Sequence, residues 1–114
     1  MTGQLTVTVG KSDGRVTVLT LSGELDRDET HLLEEAGEAA LASGIQLLVL
    51  DLRSVTFCDS SGLRTFVHLH RLATARGACL RLAELHPPVS TVVEVVNLDR
   101  MLSLHPTVAD ALIL

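Results

Sequence analysis

The chain has 114 residues, 46% of them hydrophobic and 2% aromatic, with nine basic against fourteen acidic side chains and a formal charge of −5. Its size predicts one domain that buries roughly two-thirds of its unfolded surface. With no Trp or Tyr, and only Phe57 and Phe66 as aromatics, the core is built from Leu, Val and Ala. The acidic balance argues against a nucleic-acid partner, which needs clustered Lys and Arg, and leaves no polybasic stretch for an anionic membrane surface.

The opening MTGQLTVTVGKSDGR has no apolar core of the kind a signal peptide carries, and no run approaches the roughly eighteen apolar residues of a membrane span. The expectation is a cytoplasmic protein without a membrane segment. Residues 4–9 and 15–22 alternate β-branched and polar side chains around the turn-rich Gly10–Gly14, which predicts a hairpin. From Asp28 to Ser43, Leu32, Leu33, Ala36, Ala40 and Leu41 recur at helical spacing, with Asp28 as the expected N-cap and Gly44 just past the end. An apolar run at 46–51 predicts a buried strand. After the polar link Arg53-Ser54 and the apolar Val55–Cys58, a helix is expected over 61–76 and a strand over 79–83.

The last third carries mixed signals. Val89, Val92, Val93 and Val96 lie at helical spacing in a β-branched run. Pro87-Pro88 supplies a first-turn start, so a helix is predicted, with Asn97 taking the left-handed position beyond its end. A short strand over 101–104 and a final helix from Thr107 to Leu114 complete the order. Helices between strands predict a partly parallel sheet, made mixed by the opening hairpin.

The informative segment is 47–66, LLVLDLRSVTFCDSSGLRTF. It reads as strand, connection and then a helix opened by Asp59-Ser60-Ser61-Gly62. A hydroxyl at a helix N-terminus faces free N–H groups and the positive end of the dipole, where an added phosphate is partly accommodated. Taken by position alone, Ser60 and Ser61 are N-cap residues, and Gly62 is a residue that admits close neighbours. Arg64, His68 and Arg71 share one helix stripe, readable as a solvated face or as a docking stripe.

Gly23-Glu24-Leu25-Asp26, the block LDLRSVTFCDSSGL at 50–63 and the order of elements after Gly77 together resemble the anti-sigma factor antagonists, the small STAS-domain proteins of bacteria. The resemblance spans nearly the whole chain. It departs at Arg64 and Asn97, where Gly is usual, and Arg64 adds positive charge in the turn after the acceptor serine. It implies a single α/β STAS domain over 1–114, with a mixed, mostly parallel sheet of four to five strands and helices packed mainly on one face. It also implies Ser60 as a phosphorylated residue, Ser61 as its structural neighbour, and a partner face of Asp26, Asp59, Ser61, Gly62, Leu63 and Arg64.

By the same resemblance, the unmodified protein binds an anti-sigma factor that is also an ATP-using serine kinase, and sigma is released. Phosphate on Ser60 then ends the binding, and a serine phosphatase resets the switch. Phosphorylation adds about −1.5 to −2 charge, enough to weaken a docking face without refolding. The other reading within the family is a constitutive STAS interaction module with no phosphate switch.

An enzyme with Ser60 as nucleophile is disfavoured, because residues 58–62 read Cys-Asp-Ser-Ser-Gly rather than G-x-S-x-G. No cofactor motif is present. His68 and His70 point apart on one helix, and His31, His86 and His105 lack companions at ligand spacing, so no metal site is expected. Cys58 and Cys79 are expected to be small buried hydrophobes. The apolar strands fit either a homodimer face or a dense core.

Overall fold

The computed structural model describes residues 4–113. Two strands open it, Thr6–Ser12 (β1) and Val16–Leu25 (β2). They pair antiparallel around a turn in which Asp13 Oδ1 accepts from the backbone N–H groups of Arg15 and Val16, at 3.0 and 2.9 Å. The hairpin is therefore longer than expected, and its turn lies at 13–15 rather than 10–14. A register shift at Gly10 lets β1 run on through Lys11 and Ser12.

Helix Thr30–Ala42 (α1) leads to strand Leu47–Cys58 (β3), helix Ser60–Ala75 (α2) and strand Cys79–Ala83 (β4). Helix Pro87–Val95 (α3), a single 3-10 turn at Leu98–Arg100, strand Ser103–His105 (β5) and helix Val108–Ala111 (α4) follow. The sheet has five strands in the order β1-β2-β3-β4-β5, and all pairings after the first are parallel. This is the mixed, mostly parallel α/β sheet that was expected. Asn97 takes the left-handed conformation at φ 62°, closing α3 as anticipated.

Period explains where elements and faces fall. In β3, Leu48, Leu50 and Leu52 point to the large core, where they meet Leu33 and Leu41 of α1, Phe66 and Leu69 of α2, and Val89 and Val93 of α3. Leu47 and Val49 point the other way, with Val18, Ala83 and Ala111, onto the smaller layer capped by α4. Three helices thus cover one face and one short helix the other. Most apolar residues of β2, β3 and β4 are covered within the chain itself, whereas Val9 of β1 and Phe57 of β3 stay exposed.

Three local expectations are corrected. The polar link at 53–54 is strand, not loop. Ser22–Leu25 of β2 pairs with this stretch of β3, and two register shifts insert extra residues into β3. The inward residues are then Leu52, Val55 and Cys58, spaced by three rather than two. For the same reason Gly23-Glu24-Leu25 is the end of β2 and only Asp26 begins the turn. Asp28 is not the N-cap of α1. Asp26 Oδ1 takes the N–H groups of Asp28 and Glu29, both at 3.1 Å, and the helix starts two residues later at Thr30.

Candidate functional site

The β3–α2 junction is organised by Asp59. Its extended backbone (φ −99°, ψ −172°) places the carboxylate over the first turn of α2. There Oδ1 accepts from Ser61 N at 2.8 Å and Gly62 N at 3.2 Å. The other oxygen accepts from Arg27 N at 3.3 Å, and Asp59 N donates to the carbonyl of Leu25 at 3.2 Å. The β2–α1 turn and the β3–α2 turn are therefore cross-bonded through one residue. Asp26, whose carboxylate holds the first of these turns, sits beside it.

Ser60 follows as the first residue of α2 and is exposed. Ser61 is not the cap; that role belongs to Asp59, while the Ser61 carbonyl accepts from Thr65 Oγ1 at 3.0 Å. This revises the electrostatics expected from the sequence. Two of the free amides at the helix start are already committed to the Asp59 carboxylate, so they do not serve a phosphate on Ser60. A dianion there would stand next to an anion.

Gly62 is buried and permits the close approach of α2 to the strand ends. A Cβ at this position would lie 2.6 Å from Cys58 Sγ and 3.1 Å from the Leu25 carbonyl oxygen. Burial, and secondarily the Asp59 charge, push the Cys58 thiol up to about 12. Cys58 is thus the buried hydrophobe expected, but Cys79 is exposed, because it opens β4 on the sparsely covered face of the sheet.

Three concavities meet at this corner. Asp26, Arg27, Asp28, Asp59, Ser60 and Ser61 surround an acidic one of about 290 Å³. Ser60, Leu63, Arg64, Val67, Val96 and Leu98 line a shallow apolar groove of about 300 Å³. The third, of about 420 Å³, runs between α1 and α2 from Ser61 and Arg64 to Glu34 and His68. Among the residues anticipated from the sequence, Asp26, Asp59, Ser60 and Ser61 are brought around one cavity and Arg64 joins the next. Leu63 is nearly buried at 7% exposure and forms the groove floor, and Gly62 lies beneath the surface.

Sequence reading missed Arg27, Val96 and Leu98. Arg27 follows directly on Gly23–Asp26 and was in plain view. Val96 and Leu98 reach the groove only through the fold. His68 does have carboxylates beside it on the neighbouring helix, with Nε2 2.7 Å from Glu38 Oε2 and Glu34 close by. Spacing along one helix could not reveal them.

Among the described residues no helix is long and apolar enough to cross a membrane. The family described as "Mlab, STAS domain" matches residues 9–104. An anti-sigma F factor antagonist of Paenibacillus polymyxa is 26% identical over 98 residues, covering 85% of this chain and 84% of that protein. The crystal structure of an anti-sigma factor antagonist from Mycobacterium paratuberculosis superposes with a TM-score of 0.86 at 30% identity, over 96% of this chain and 92% of the other. The phosphorylated form of the Bacillus cell fate determinant SpoIIAA shares the fold, with a TM-score of 0.69 at 19% identity, over 89% of this chain and 92% of that one. The chain belongs to the STAS-domain family, which includes the anti-sigma factor antagonists.

Proposed function

We propose that this chain works as a single-domain anti-sigma factor antagonist in the cytoplasm. Its unmodified Ser60 face binds a kinase-type anti-sigma factor and releases sigma. Transfer of phosphate from ATP to Ser60 ends the binding, and a serine phosphatase restores it. Asp26, Asp59, Ser61, Leu63 and Arg64 contribute the docking face around Ser60, and Gly62 lets the helix sit close enough to present it. The names of the relatives support the antagonist role; the position of Ser60 supports the switch.

The single observation that carries the reading is that Ser60 is exposed where an acidic cavity meets an apolar groove. A partner surface that covers Leu63, Val67, Val96 and Leu98 must also dry out the Ser60 hydroxyl. For a neutral hydroxyl that cost is small, and one hydrogen bond offsets it. For a phosphate it is several kcal/mol unless the group is paired. Local amides offer little compensation, since Asp59 already holds those of Ser61 and Gly62. Coulomb repulsion adds to this: a dianion about 6 Å from one partner carboxylate costs about 1.4 kcal/mol in water, already tenfold in affinity.

The decisive experiment incubates the chain with a candidate kinase anti-sigma factor and ATP, then measures intact mass and maps the site. One phosphate on Ser60 is expected. Ser60→Ala should bind the partner and stay unmodified, whereas Ser60→Asp should bind at least tenfold more weakly. Equal affinity of the two variants would refute the electrostatic switch. Tight binding with no mass gain would leave a constitutive interaction module.

A further inference from the structure

Glu34 and Glu38 are one turn apart on the face of α1 that meets α2, and His68 faces them from α2. One donor atom from each of the three side chains lies within 4.8 Å of the other two. His68 Nε2 and Glu38 Oε2 are in hydrogen-bond contact at 2.7 Å, with side chains 43% and 48% exposed. Among the described residues Glu34 has no ion-pair partner within 4.0 Å. Two carboxylates and one imidazole therefore converge; among the described residues no arginine or lysine lies within 4.0 Å of either carboxylate, while Arg27 and Arg64 line the same cavity farther off. The geometry points to a binding site for a divalent transition cation, zinc above all, that bridges α1 and α2.

Several magnitudes favour this occupant. Zinc binds imidazole nitrogen and carboxylate oxygen at about 2.0–2.2 Å in tetrahedral sites, which sets its donors about 3.4 Å apart. Closing from 4.8 Å or less requires movement of about an ångström, within rotamer reach for exposed Glu and His side chains. One donor from each of two helices would not fix a site, but two from α1 and one from α2 do. Their backbones are held by the packing of Leu33, Leu41, Phe66 and Leu69, all at most 1% exposed.

A nitrogen donor suits zinc and its neighbours in the series, whereas calcium takes six to eight oxygens and magnesium prefers oxygen and water. Three protein ligands leave the fourth position to water or to a partner's side chain. That position opens on the cavity shared with Ser61, Arg64 and Thr65. A cation here would also staple the two helices that border the Ser60 corner.

The test uses the full untagged chain in a Cys79→Ser background, stripped with chelator, since Cys79 is exposed and a tag or thiol would bind zinc on its own. Zinc chloride is titrated by calorimetry and against a chromogenic chelator. One zinc per chain is expected, with binding weakened at least tenfold in both His68→Ala and Glu34→Gln and unchanged within twofold in His70→Ala. Millimolar magnesium or calcium should not displace it. The imidazole signals of His68, and not those of His70, should shift in NMR spectra. Zinc binding unchanged in His68→Ala, absence of binding at millimolar zinc, or equal competition by magnesium would each overturn the proposal and leave a simple Glu38–His68 hydrogen bond.

Discussion

Replacing Gly62 by Ala adds one methyl group at the most crowded point of the site. The new Cβ would stand 2.6 Å from Cys58 Sγ, 3.1 Å from the Leu25 carbonyl oxygen and 3.2 Å from Leu25 Cβ. Relief needs shifts of several tenths of an ångström to about one ångström. The neighbours resist: Leu25 and Cys58 are 0% and 4% exposed, and the Leu25 carbonyl already accepts from Asp59 N. Overpacking of this kind costs about 1–3 kcal/mol. Against it stands the helix-propensity gain of Ala over Gly, at most about 1 kcal/mol in a helix interior. The gain is smaller in a first turn.

The clash wins, with a net loss of about 1–2 kcal/mol. In urea that lowers the unfolding midpoint by about 1 M, followed by far-UV circular dichroism. The Cys58→Ala change in the same background tests the cause. If the sulfur carries the clash, the double variant is more stable than the two single losses added together, by at least about 0.5 kcal/mol. Gly62→Ala as stable as the parent, or simple additivity with Cys58→Ala, would refute the packing argument.

Thiol labelling gives a second check. At pH 8, a disulfide reagent should modify Cys79 quickly and Cys58 only as the chain unfolds, because burial holds the Cys58 thiol near 12; two fast thiols per chain would contradict this. A third concerns Glu84, whose carboxylate accepts from Arg53 Nη2 at 2.9 Å and from Val108 N at 3.2 Å. Those bonds hold it below its usual 4.5, Arg53 contributing most. Its contribution is therefore complete above about pH 4.5 and is lost as pH falls through the lower folded value. The gap in urea midpoint between parent and Glu84→Gln should be present at pH 6 and close towards pH 3. A gap that widened on acidification would reverse the sign and refute the argument.

Helices were legible because their apolar residues repeat at a period that survives small irregularities. α2 shows this, with Leu63, Phe66, Leu69 and Ala73 all buried. The far half of β3 was hidden because the two register shifts against β2 break the two-residue alternation by which strands are recognised. Capping at α1 was misassigned because the helix begins after Glu29 without any side-chain cap, the Asp26 carboxylate being spent on the turn that precedes it. Ser60, Asp59 and Asp26, which surround one cavity, could be singled out because they lie in short contiguous motifs. Val96 and Leu98 of the groove, and the meeting of Glu34 and Glu38 with His68, are long-range facts. They depend on helix placement, which no local pattern encodes.

The order of strands in the sheet equals their order in the chain, so no strand waits for a distant one before it can pair. During synthesis the sheet can grow by accretion, each new strand joining the edge left by the last. By Ala75 every residue of the acidic cavity has been made, including Ser60 and the turn of Asp26. The apolar groove is different, for its far wall of Val96 and Leu98 comes from the final third of the chain. A nascent chain would thus carry the Ser60 hydroxyl before it carries the complete apolar groove beside it.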